Sequence, residues 1–162
     1  MTKDIGMIEA FNNVVDALNQ RFLQELWLDF EVVSLHHEIL KLKASTDFCY
    51  YHDCEIEFSG VRYFSGPMLW GSDPPDGLTE VLPESDALRM INEYSLETPC
   101  NVIVFKTDES RRVVIACTSI QVDFDRVYYF AKENLGMNER IEQSADLPNH
   151  KAIAKDDGME PV

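Results

Sequence analysis

Histidine, cysteine and carboxylate residues crowd one stretch of this 162-residue chain: His36 and His37, then His52, Asp53, Cys54 and Glu55. These are the side chains that ligate zinc through imidazole nitrogen and thiolate, or that carry protons in acid–base chemistry. If Ala44 to Asp47 forms a hairpin loop, residue 43 faces 48, and His37 then faces Cys54 with His52 two positions away on the same side. His37, His52 and Cys54 become candidate metal ligands, without an evident fourth. A slip of one residue in this pairing separates His37 from Cys54. The plainer reading is an interstrand histidine packed among Tyr50 and Phe58 and making one hydrogen bond. Nucleophilic catalysis needs a base within reach and a third group to orient it. Neighbours on a strand point to opposite faces, so His52 and Asp53 do not pair directly. Gly-x-Ser-x-Gly, a Gly-rich phosphate loop and His-Glu-x-x-His are all missing from the sequence. No catalytic residue, metal or cofactor is therefore expected; a metal-dependent or small-ligand enzyme using the histidine and cysteine cluster is the alternative.

The four cysteines, at 49, 54, 100 and 117, include no Cys-x-x-Cys pair. Reduced thiols in a cytoplasmic setting are the expectation, each acting as a small buried hydrophobe. A two-residue turn at Asp108 and Glu109 would set Cys100 across from Cys117, where a disulfide is geometrically conceivable, and a three-residue turn would not.

A second group of functional residues is acidic. The chain carries 29 Asp and Glu against 14 Lys and Arg, a net charge of −15. Nucleic acid and anionic membrane surfaces are poor partners for such a protein, because phosphate must be met by clustered Lys or Arg. Residues 65–99 hold the largest share, with Arg89 as their single cation. Here Asp73, Asp76, Glu80, Glu84 and Asp86 accompany Met68, Leu69 and Trp70 in a Pro-rich segment. Charge runs usually serve solubility. An aromatic anchor in an acidic, conformationally restricted loop is also the composition that receives a basic protein, with charge steering the encounter and Trp70 supplying buried area. Calcium is a weak fit, since Asp73 to Glu84 lacks the alternating Asp spacing that organises oxygen ligands.

Ile8, Phe11, Val15, Leu18 and Phe22 recur at helical spacing, with Glu9, Asn12, Asn13, Asp16 and Asn19 toward water. The pattern runs on through Leu26 and Trp27, as one long helix or two short ones joined near Asp29. Val33, Leu35, His37 and Ile39 alternate with period two, then slip in phase at Leu40 and Leu42, as at a bulge near Ile39. Phe48 to Phe58 alternates most cleanly and predicts a half-buried strand, bent at Ser59-Gly60 before Val61 and Tyr63. Gly66 to Pro83 holds four of the seven prolines and three of the seven glycines, and reads as a long loop or a pair of turns. Ser85 or Asp86 caps a short helix with Leu88, Ile91 and Tyr94 on one face. Val102 to Phe105 and Val113 to Ala116 form a second hairpin, and Ile120, Val122 and Phe124 extend it or begin another strand. Asp125 is placed to cap a closing helix with Val127, Phe130, Ala131 and Leu135 inward and Gly136 as its stop.

The expected fold class is α+β: a mainly antiparallel sheet of about five or six strands, with an N-terminal helix and a C-terminal helix packed on it. Residues 1–137 form one globular domain and 138–162 a loosely held polar tail. Met1-Thr-Lys-Asp4 does not begin a targeting segment, and no apolar run reaches the ~18 residues that span a bilayer.

The succession Asp53-Cys-Glu-Ile-Glu-Phe-Ser-Gly-Val61, a loop holding Trp70, and a hairpin from Val102 to Ile120 resembles small bacterial sheet proteins of unknown function, some similar to immunity proteins of polymorphic toxin systems. The resemblance spans roughly Val33 to Phe124, with Phe58-Ser-Gly-Val61 as its specific element, and carries over no functional residue. It implies neutralisation of a toxin by binding. The expected function is a cytoplasmic, non-enzymatic acidic module that binds a basic protein partner through Trp70, Asp73, Asp76, Glu80, Glu84 and Asp86; a homo-oligomer remains open.

Overall fold

The computed structural model describes residues 2–109 and 111–143 and gives an α+β protein. Helix α1 covers Thr2–Phe22 and ends there as one helix; Leu26 and Trp27 lie beyond it, exposed, in the link to the first strand. Strands β1 (Leu28–His36), β2 (Ile39–Ser45), β3 (Tyr51–His52), β4 (Cys54–Ser59), β5 (Tyr63–Ser65), β6 (Leu69–Ser72) and β7 (Thr79–Val81) follow. Helix α2 (Glu84–Glu93) then precedes β8 (Asn101–Lys106), β9 (Arg112–Cys117), β10 (Ser119–Asp123), β11 (Arg126–Tyr128) and β12 (Glu139–Ile141). They build a five-stranded antiparallel sheet in the order β10-β4-β2-β1-β6, a four-stranded antiparallel sheet β5-β9-β8-β7, and a small mixed sheet β12-β11-β3.

The two larger sheets face each other across a single core. Phe30, Leu40, Leu42, Ile56 and Phe58 from the first meet Ile103, Phe105, Val113 and Ile115 from the second, and α1 adds Phe11, Val15, Leu18 and Phe22. Of the expected helical stripe only Ile8 stays half exposed. The chain crosses between these sheets four times, after β4, β5, β6 and β9, and the crossings at Gly60 and Thr118 are tied together. Thr118 donates from its backbone N–H and its hydroxyl to the carbonyl of Ser59, at 3.0 and 2.9 Å. Gly60 has φ of +62°, and a Cβ there would lie 2.2 Å from the Thr118 hydroxyl oxygen, so this position needs glycine for both reasons.

Several expected elements take other forms. The phase slip at Ile39 is not a bulge inside one strand: His37 and Glu38, at φ of 48° and 63°, are a two-residue turn joining β1 to β2. Turns with two positive φ values usually carry Asn or Gly, so His-Glu gave no local signal. A bulge does occur earlier, between Val32 and Ser34. The run from Phe48 to Phe58 is split, with turn structure to Tyr50 and a break at Asp53 between β3 and β4. Gly66 to Pro83 is not a loop throughout but supplies β6, a single 3-10 turn at Pro74–Asp76 and β7. Asn19, expected to face water, instead grips β7: its side-chain N–H donates to the Thr79 carbonyl at 3.0 Å, and its carbonyl accepts from the Thr79 N–H and hydroxyl at 3.1 and 2.9 Å. Helix α2 begins at Glu84 after Pro83 with no side-chain cap, rather than from Ser85 or Asp86.

The closing helix from Asp125 does not form. Arg126–Tyr128 is a strand between β3 and β12, while Ala131 to Asn138 turns irregularly back to it. Val127, Tyr128, Tyr129 and Phe130 are β-branched or aromatic residues that fit a pleated surface, and Val127, Phe130 and Ala131 fell on helical spacing within a segment too short for periodicity to decide. Of the tail expected from 138, residues 139–141 pair in parallel with β11, and residues 144–162 lie outside the described residues. Among the described residues no helix is long and apolar enough to cross a membrane.

Candidate functional site

The pairing of β2 with β4 sets the fate of the histidine and cysteine cluster. Ala44, not His37, stands opposite Cys54, because the chain between these strands is far longer than a four-residue loop and accommodates β3. His37 lies at the turn beside the Ser59 end of β4, five residues from Cys54 and so roughly 17 Å along the strand at ~3.3 Å per residue. Cys54 points into the core, where burial raises its thiol far above the usual range. His37, His52 and Cys54 are thus not brought together, and among the described residues no three His, Cys, Asp or Glu side chains share a metal-sized site.

His52 instead anchors a polar network that joins the small sheet to the large one. Its ring is fully buried, with Nε2 2.8 Å from Glu55 Oε1 and Nδ1 3.0 Å from the Tyr129 hydroxyl. Burial holds His52 below its ordinary pKa, although the Glu55 hydrogen bond works the other way. A carboxylate only accepts, so the neutral ring carries its proton on Nε2 and accepts from Tyr129 at Nδ1. Burial works to raise Glu55, but hydrogen bonds from His52 and from Arg140, 2.9 Å away, outweigh it and keep the carboxyl below its usual value. The Tyr129 hydroxyl is pushed up to about 12, chiefly by burial. Beside this network, buried Asp53 takes Arg126 at 2.6 Å on one oxygen and the backbone and hydroxyl of Thr46, at 2.8 and 2.9 Å, on the other.

On the outer face of the large sheet, Lys41, Lys43, Glu55, Glu57, Asp123 and Glu142 line an open groove of about 470 Å³. Its cations are already engaged, Lys41 with Glu57 at 3.2 Å and Lys43 with Glu142 at 2.7 Å. Burial holds Tyr129 and Cys54 protonated, and the hydrogen bonds of this network tie the strands of the small sheet to the large one. Arg126, Tyr129, Arg140, Lys43 and Glu142 were not singled out by their sequence pattern; the aromatic run at 128–130 was the only local sign of them.

The second cysteine pair is out of register too: Asn101 faces Cys117, since Thr107 and Arg111 close the β8–β9 hairpin with three residues between them. Cys100 and Cys117 are free thiols, and burial pushes Cys117 up to about 12.

The acidic segment divides. Trp70, expected as an exposed anchor, is only 5% exposed: it stacks on Phe30 with ring centres 5.2 Å apart and meets the edge of Phe105 at 5.6 Å. β6 pairs with β1, and that register turns residue 70 onto the same inner face as Phe30. Its alternating neighbour Leu69 points outward with Met68 next to it, both about 60% exposed. Asp73, Asp76, Glu80, Glu84 and Asp86 all lie on the surface. Asp86 has Arg89 at 3.7 Å, whereas Asp73, Asp76, Glu80 and Glu84 enter no ion pair among the described residues. Comparison with known proteins finds no matching family model, no matching curated protein and no matching solved structure.

Proposed function

We propose that this chain is a non-enzymatic module that binds a basic protein partner through the carboxylates from Asp73 to Asp86, neutralising that partner in the manner of an immunity protein. The observation that carries this reading is that Asp73, Asp76, Glu80 and Glu84, exposed along one continuous piece of chain, enter no ion pair among the described residues, with Lys106 reaching only the Asp76 main-chain carbonyl at 3.4 Å, while Lys41, Lys43, Arg62, Arg126, Lys132 and Arg140 are all engaged by other carboxylates. Unpaired surface charge raises the encounter rate with an oppositely charged partner and costs the free protein some self-repulsion. Trp70 has no part in the contact.

The test compares two variants of equal charge. One carries Asp73→Asn, Asp76→Asn, Glu80→Gln and Glu84→Gln; the other carries Glu9→Gln, Asp16→Asn, Glu25→Gln and Glu31→Gln. Proteins retained from the source cell at 50 mM NaCl are identified, and binding of the recovered partner is measured at 50 and 500 mM. A basic partner, lost at high salt and at least tenfold weaker for the first variant only, is expected. Equal weakening by both variants, or an acidic partner, defeats the reading.

A further inference from the structure

We infer that the groove between α1 and α2 receives the apolar face of a cationic amphipathic helix, an inference that rests on the acidic-surface reading and names the form of the partner it would bind. The groove measures about 590 Å³, within the roughly 300–1,000 Å³ range of ligand-binding clefts. Its walls are Met7 and Ile8 on α1 and Leu88 on α2, each about half exposed, and Ile91 and Val102 make a buried floor. A smaller apolar hollow of about 190 Å³ on the other flank of α1 shares Met7 and Thr118 with it, so the apolar surface continues past the helix. Half-exposed apolar residues on two neighbouring helices with a trench between them are what helix-in-groove recognition uses, and Met7 can repack around different side chains.

Charge selects the occupant. Glu84 is the sole charged residue of the lining, and it continues the run of exposed carboxylates that begins at Asp73. Arg62 acts on Cys100 of the lining but is itself held by Glu38 and Glu97, and Arg89, next to Leu88 in the chain, is 3.7 Å from Asp86. A second copy of this chain would bring another strongly anionic surface against Glu84, and a fatty acid would set its carboxylate there; both are opposed by like charge. A helix with a Leu stripe and flanking Lys or Arg satisfies floor and rim together.

The probe is a fluorescein-labelled 14-residue Leu/Lys amphipathic peptide, titrated into the whole chain by anisotropy. A Lys/Gly peptide of equal charge and a Leu/Ser peptide of equal apolarity are its controls. The Leu/Lys peptide is expected to bind at least tenfold more tightly than either control. Leu88→Asp and, separately, Ile8→Asp should weaken it at least tenfold, while Leu35→Asp, at an exposed site on the β1–β2 hairpin, leaves it unchanged; circular dichroism confirms folding of each. Equal binding of the Leu/Ser peptide overturns the cationic class. Self-association that Leu88→Asp abolishes assigns the groove to a second copy and overturns the inference. Unchanged Leu/Lys binding in both groove variants also overturns it. If the Lys/Gly peptide binds equally well and the Asp73 to Glu84 amide variant weakens both peptides, the groove inference falls while the acidic-surface reading stands; if neither peptide binds, both fall.

Discussion

His52 shows how a residue chosen for its chemistry can be used for architecture. Its ring spans Glu55 and Tyr129, and it stays neutral because burial opposes its charge. The unfolded chain regains an ordinary pKa near 6.5, so as pH falls through that value the unfolded state takes up a proton that the folded state refuses. The stabilisation from neutral His52 is present above pH 6.5 and is lost progressively below it. Glu55 adds a second loss at lower pH, since its folded carboxyl lies below its unfolded value of 4.5. Urea denaturation midpoints should therefore drop between pH 7 and pH 5, and His52→Gln should flatten that slope while lowering stability at pH 7. An unchanged slope in the variant would assign the pH dependence elsewhere. The His, Cys and Glu residues were visible in the sequence as a cluster, but the hydroxyl that completes the network lies 77 residues away and arrives only through the pairing of β11 with β3.

Among the elements, those whose periodicity answers to a single face were legible: α1, the inward Cys54, Ile56 and Phe58 of β4, and α2. Those set by pairing were not. β7 is three residues long at the edge of its sheet, and nothing in Thr79-Glu-Val81 specifies it; β8 pairs one side and Asn19 stands in for a strand on the other. An amide side chain offers the same donor and acceptor as a backbone, and an unpaired edge left beneath a helix would carry unsatisfied groups. Asn19→Ala is expected to cost about 1–2 kcal/mol, the scale of a buried donor left without a partner. It should also speed amide exchange at Thr79 at least tenfold while leaving Ile103 and Ile115 protected. Unaltered protection at Thr79 would mean that Asn19 does not hold the edge.

The whole molecule is a strongly anionic body whose carboxylates outnumber its cations about two to one. Most described cations are spent on ion pairs, many of them exposed and so worth little individually. Net repulsion should dominate the response to salt. Raising NaCl from 0.02 to 0.5 M shortens the screening length to a few ångströms, well inside the spacing of surface charges, and the urea midpoint should rise. A midpoint that falls would show that the ion pairs, above all Asp53 with Arg126 and Glu55 with Arg140, outweigh the repulsion. The same repulsion is what a basic partner would relieve.

Composition and local periodicity by themselves determined an acidic α+β chain with a docked first helix, antiparallel strands and a carboxylate run before α2, because these depend on which side chains avoid water. Only the tertiary structure decided that His37-Glu38 turns the chain, that Trp70 faces Phe30 rather than solvent, and that Arg126–Tyr128 is a strand. The last two depend on partners distant in sequence, whereas the turn closes locally, His36 against Ile39, without the Asn or Gly that would announce it. A side chain's preference for burial does not say against what it will be buried; that follows from closure of long loops and from the shape of the shared core.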